Sequence, residues 1–85
     1  MSAEFDPSRS TRDYQAADAA HHIHAFVDQK ALNEEGPRVM VSGDRLALWD
    51  NDGNRYLDGM SGLWCTNLGY GRKDLAAAAT AQLEQ

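Results

Sequence analysis

At 85 residues the chain is long enough for one small domain and no more. Hydrophobic content of 42% excludes a disordered composition, and a net charge of −5 without a basic cluster argues against nucleic acid and anionic membranes as partners. No apolar run is long enough to span a bilayer, and the acidic start Met1-Ser2-Ala3-Glu4-Phe5-Asp6 lacks the basic-then-apolar layout of a signal peptide. The single cysteine cannot form an internal disulfide, so a reducing, cytoplasmic setting is expected. A scaffold this small usually needs staples, and their absence from the sequence suggests part of a longer chain.

In chain order, residues 1–13 are expected to form a flexible tail, with Pro7 breaking any early helix. Ser10-Thr11-Arg12-Asp13 resembles a weak capping box, and Tyr14, Ala17, His21 and His24 then recur three or four apart, predicting a helix to about Ile23. Gln29 to Glu35 is a polar stretch ending at Gly36-Pro37 and carries no helix expectation. The clearest pattern follows. Val39 and Val41 alternate with Met40 and Ser42, Leu46 and Leu48 with Ala47 and Trp49, and Tyr56-Leu57 opens a third short run. Gly43-Asp44 and Asp50-Asn51-Asp52-Gly53-Asn54 supply turn chemistry between them. These residues predict a three-stranded antiparallel meander with one apolar face in need of cover. Lys73 to Gln85 reads as a helix with no glycine or asparagine cap, the pattern of a truncated element.

The chain concentrates its unusual residues in Asp58-Gly59-Met60-Ser61-Gly62-Leu63-Trp64-Cys65-Thr66-Asn67-Leu68-Gly69-Tyr70-Gly71-Arg72, which holds four of the seven glycines, one tryptophan and the only cysteine. Such a stretch is either a packing anchor or the wall of a pocket. Other chemistries fit poorly. A helix puts His21 and His24 of His21-His22-Ile23-His24 on one face and His22 elsewhere, so at most two could share a metal, too few for zinc. Asp50, Asp52 and Asn54 mimic a calcium loop, but Arg55 stands where glycine is needed and Ser61 where glutamate is needed. Gly69-Tyr70-Gly71-Arg72 lacks the third glycine of a dinucleotide loop, and Lys73 is followed by Asp74 rather than the Ser or Thr of a phosphate-binding loop. Ser61 and Cys65 have no local base. The residues alone offer a binding surface without catalytic machinery.

The order of motifs carries a resemblance. His21-His22-Ile23-His24-Ala25-Phe26-Val27-Asp28, Gly36-Pro37-Arg38-Val39-Met40, the run Leu48 to Cys65, and Asn67-Leu68-Gly69-Tyr70-Gly71-Arg72 together resemble the amino-terminal segment of class III (omega) aminotransferases, from about residue 14 onward. Leu63-Trp64-Cys65 is closest to the members that transfer amines such as putrescine or β-alanine to pyruvate.

That resemblance implies a pyridoxal 5′-phosphate (PLP) enzyme of fold type I, an α/β architecture, usually a homodimer with active sites at the subunit interface. This chain would supply the leading helix, the meander and the start of a following helix. Residues 14–72 would form the amino-terminal part of the small domain, and 73–85 the helix leading toward the large domain. It also implies that Leu63 and Trp64 line the substrate pocket, that Phe26 approaches it, and that an amine donor and pyruvate are the small-molecule partners. Ala25 stands where a proline commonly precedes that phenylalanine. The Schiff-base lysine, the aspartate facing the pyridinium nitrogen and the main phosphate loop lie further along in the family. Lys30 and Lys73 match none of them, so the 85 residues alone are expected to be inactive. The competing expectation is a truncated, non-catalytic small domain that binds a partner through the meander face.

Overall fold

The computed structural model describes residues 8–85. Most of the tail expected over residues 1–13 therefore lies outside the described residues, but its last part does not. Helix α1, Thr11–His21, starts on Ser10, whose hydroxyl accepts from the Asp13 amide at 3.1 Å while the Asp13 carboxylate takes the Ser10 backbone amide. The capping box is thus complete, and it sets the helix start before residue 14. Helix α1 ends at His21, two residues short of the expected Ile23, because His22 turns to extended backbone.

A short second helix, α2, covers Gln29–Glu35 where none was expected. Its signals are local: the Asp28 carboxylate accepts from the Ala31 amide at 3.2 Å, and Gly36, at φ 82°, closes the other end with its amide on the Leu32 carbonyl. Seven residues with one good cap at each end hold a helix that hydrophobic periodicity is too short to reveal.

Strands β1 (Met40–Asp44), β2 (Ala47–Asp50) and β3 (Arg55–Leu57) form the antiparallel meander in the order β1-β2-β3. The first turn falls two residues later than Gly43-Asp44 suggests. Asp44 pairs with Ala47, so Arg45-Leu46 is the two-residue connection, and Arg45 takes the positive φ of 54° that such a connection requires. Gly43 serves a different purpose: a Cβ there would lie 2.9 Å from Cγ of Tyr70, whose ring covers it. A bulge between Met40 and Ser42 adds one residue to β1. The second turn runs through Gly53 at φ 86°, with the Gly53 amide on the Asp50 carbonyl at 3.1 Å.

Burial is slight. Ala47, at 3% exposure, is the most buried apolar residue among those described, whereas Leu46, expected on the inner face with Leu48, is turned out at 68% because it sits in the hairpin turn. Every residue of helix α4, Lys73–Leu83, is exposed. Polar contacts fasten the parts instead. Thr11 Oγ1 donates to Asp52 at 2.7 Å, Asn51 Nδ2 reaches both the Arg9 carbonyl and Thr11 Oγ1 at 3.1 Å, and Gln15 Nε2 reaches the Pro37 carbonyl at 3.0 Å. No described helix is long and apolar enough to cross a membrane.

Asp50 is the polar centre of the sheet. Its carboxylate accepts from the Asn54 amide and side chain at 2.8 and 3.0 Å, the Asp52 amide at 3.0 Å and the Tyr56 hydroxyl at 2.8 Å. The Asn54 side chain, then Tyr56 and the two backbone amides, hold its pKa down at about 2. These bonds are the reason the turn resembles a calcium loop in sequence: its first acid is spent on the hairpin. A depressed carboxylate stabilises the fold above its unfolded value of 3.8 and loses that contribution as pH falls toward about 2. An NMR titration of the Asp50 carboxyl carbon should give a midpoint near that lower value, with the Asn54 amide shifting alongside; an ordinary midpoint would show that the bonds do not persist in solution.

Candidate functional site

The glycine-framed stretch begins where β3 ends. The Asp58 amide donates to the Leu46 carbonyl at 2.8 Å, tying this point to the first hairpin turn. The following turn, α3 (Ser61–Trp64), is helical in its hydrogen bonding yet left-handed in backbone: Ser61, Gly62, Leu63 and Trp64 have φ of 50°, 58°, 59° and 70°. Each non-glycine residue in that conformation costs about 1–2 kcal/mol.

The surrounding bonds hold it. Asp58 Oδ1 accepts from the Met60 amide and Oδ2 from the Gly62 amide, both at 3.1 Å, with the Ser61 amide adding a third backbone donor. The Tyr70 hydroxyl donates to the same Oδ2, and Thr66 bonds to the Tyr70 oxygen in turn. Within the turn, the Trp64 amide reaches the Met60 carbonyl at 2.9 Å and the Thr66 amide the Ser61 carbonyl at 2.8 Å. The Tyr70 hydroxyl, followed by the backbone amides, lowers the Asp58 pKa below the usual carboxylate value, and the same bond to Asp58 raises that of Tyr70.

Tyr70 is itself fixed by the sheet. Its amide donates to the Arg45 carbonyl at 2.8 Å and its carbonyl accepts from the Arg45 amide at 3.1 Å, an isolated antiparallel bridge. Gly69, at φ 86°, admits that approach, since a Cβ there would meet the Arg45 oxygen at 3.0 Å. Arg72 then precedes α4 and forms a fork with Asp74, Nε to Oδ1 at 2.9 Å and Nη2 to Oδ2 at 2.6 Å. The Gly69-Tyr70-Gly71 segment is thus a return to the sheet followed by a helix start.

The result is an outward display. Leu63 is 60% and Trp64 83% exposed, side by side at positive φ. Phe26, in the segment between α1 and α2, is fully exposed and also at positive φ, 56°. All three residues picked from the sequence therefore share a strained backbone and an uncovered side chain, a combination that clusters at functional sites. Two concavities among the described residues are lined by none of the three. One, about 670 Å³, lies between α1, α2 and the second turn; the other, about 480 Å³, runs from Cys65 to Gly69 and Leu75. Cys65 is exposed, its Sγ donating to the Leu63 carbonyl at 3.4 Å.

Asp58 and Tyr70 were not among the residues singled out from the sequence, although they build the turn. An aspartate two and four residues ahead of Met60 and Gly62 is a side-chain-to-backbone turn signal that could have marked the first of them. Of Gly59 and Gly62, the two glycines between Asp58 and Trp64, Gly62 alone has positive φ. A Cβ at Gly62 would sit 2.9 Å from Thr66 Oγ1 as well. Gly62→Ala is expected to destabilise the protein by about 1–2 kcal/mol in denaturant unfolding; a change below about 0.3 kcal/mol would mean that the left-handed turn is not the solution conformation.

Comparison with known proteins follows the same residues. No family model matches the chain. It is 47% identical over 75 residues to a putrescine–pyruvate aminotransferase of Pseudomonas aeruginosa and 48% identical over 69 residues to a taurine–pyruvate aminotransferase of Rhodobacter capsulatus. Those matches cover 88% and 80% of this chain but only 16% and 15% of the relatives. Among solved structures, a thermostable (S)-enantioselective omega-transaminase from Thermomicrobium roseum superposes with a TM-score of 0.84 at 45% identity, over 89% of this chain and 17% of that one. In sequence and in backbone course, the chain belongs to the class III (omega) aminotransferases.

Proposed function

We propose that this segment is the substrate-selecting part of a PLP-dependent aminotransferase that moves an amino group from an amine or omega-amino acid to pyruvate. In this reading Leu63 and Trp64 form one wall of the amine pocket and Phe26 approaches it from the segment after α1. The observation that carries it is the Asp58-held left-handed turn, which commits backbone strain to presenting Leu63 and Trp64 outward. Pyruvate as acceptor is supported by the names of the relatives.

PLP would supply the electron sink for transamination when bound. In this reading the lysine that would hold it lies outside this segment. Lys30 on α2 and Lys73 at the start of α4 are both exposed, and neither lines the concavities above. The role derived for this chain is therefore selection: a rigid apolar wall admits an amine side chain of matching shape and excludes others. Residues 14–72 are assigned to the small domain and 73–85 to the helix toward the large domain. Leu57, Met60, Leu68 and Leu83, each at least 62% exposed, offer apolar surface for further protein to cover, which in this reading is the rest of a cytoplasmic homodimer.

In an enzyme carrying this segment, Trp64→Ala should change the ratio of kcat/KM between a bulky and a small amine by about tenfold or more, with PLP content unchanged. Loss of PLP with an unaltered amine preference would remove Trp64 from the pocket. The 85 residues alone, mixed with PLP and an amine, should give neither a PLP-derived absorbance band nor turnover, and either signal would place the cofactor's lysine within this chain.

A further inference from the structure

The three histidines are arranged differently from the helical spacing. Helix α1 stops at His21, and His22 adopts φ −126° and ψ 136°. In extended backbone, side chains two apart share a side, so His22 and His24 come together and His21 is left out. Their ring centroids are 4.1 Å apart at an interplanar angle of 36°. Both rings face Asp18, one helical turn back. His22 Nδ1 lies 3.0 Å from Asp18 Oδ1, and His24 Nε2 lies 2.9 and 2.8 Å from Oδ1 and Oδ2. The ligand atoms of all three residues fall within 4.8 Å of one another.

We propose that Asp18, His22 and His24 bind one divalent transition-metal ion of the zinc class. Two imidazole nitrogens and a carboxylate are the donor set for such ions, with a further position left for water. In a tetrahedral site with bonds of about 2.0–2.1 Å, ligand atoms stand roughly 3.3 Å apart. The two histidine-to-Asp18 separations need to open by only a few tenths of an ångström, and the three ligand atoms already lie within 4.8 Å of one another. Asp18 and His24 side chains are 18% and 24% exposed and hold their places, the His24 amide being bound to Gln29 Oε1 at 2.9 Å. His22, at 60%, gives the ion access. The ion takes Nδ1 of His22 and Nε2 of His24, so each neutral ring keeps its proton on the other nitrogen. The net charge of −5 favours a cation. Bound there, the ion ties the end of α1 to the segment that leads to Phe26.

The test is titration of the chain with Co²⁺, followed by its visible absorption, and displacement by Zn²⁺. A band that saturates at one ion per chain, is abolished by Zn²⁺, and is weakened about tenfold or more by His24→Gln and by Asp18→Asn is the expected result. His21→Gln should leave it unchanged. Far-UV circular dichroism checks each variant; if His24→Gln does not fold, His22→Gln on the more exposed ring takes its place. Absence of a saturable band in the unaltered chain, or an equal loss in His21→Gln, overturns the proposal.

Discussion

The Asp58 carboxylate is the contact on which the display of Leu63 and Trp64 depends. A left-handed turn of L-residues is unstable by itself, and three of its four residues carry a Cβ. Backbone amides pointing into one carboxylate reverse that balance, because each would otherwise need another partner. Tyr70 then makes the carboxylate a joint between the turn and the sheet: its hydroxyl is on Asp58, its ring over Gly43, its backbone on Arg45.

The same device recurs. Asp50 gathers the second hairpin turn, Asp58 the left-handed turn, and Asp18 the two histidines after α1. With one apolar residue buried among those described, the conformation of this segment rests on carboxylates that each collect several donors. That division suits a segment whose apolar side chains are turned toward other surfaces. Interior packing would bury them; polar fasteners leave them free for contact.

This explains which parts of the structure were legible in the sequence. The meander and both outer helices follow from alternation, turn residues and a capping box, all local signals. Helix α2 escaped because it is too short to show a period, and its caps, Asp28 and Gly36, are residues equally at home in a loop. The first turn was misplaced because Gly43 looks like a turn glycine, whereas its lack of a side chain answers a tyrosine 27 positions on. Leu63, Trp64 and Phe26 were found through a family resemblance, and nothing in their spacing announces positive φ. The grouping of His22 with His24 was hidden by one event, the end of α1 at His21, which changes the side-chain period from 3.6 to 2.

The stretch from Asp58 to Tyr70 leaves and rejoins the sheet at adjoining residues, since Asp58 is bound to Leu46 and Tyr70 to Arg45. It is therefore an Ω-loop, pinched at its neck by a carboxylate and a phenol twelve positions apart. Closing such a loop depends only weakly on its length, so a longer or shorter belly adds little closing entropy while changes at its neck disturb the whole. The length of chain between the two pins can thus change without touching the strands that carry them.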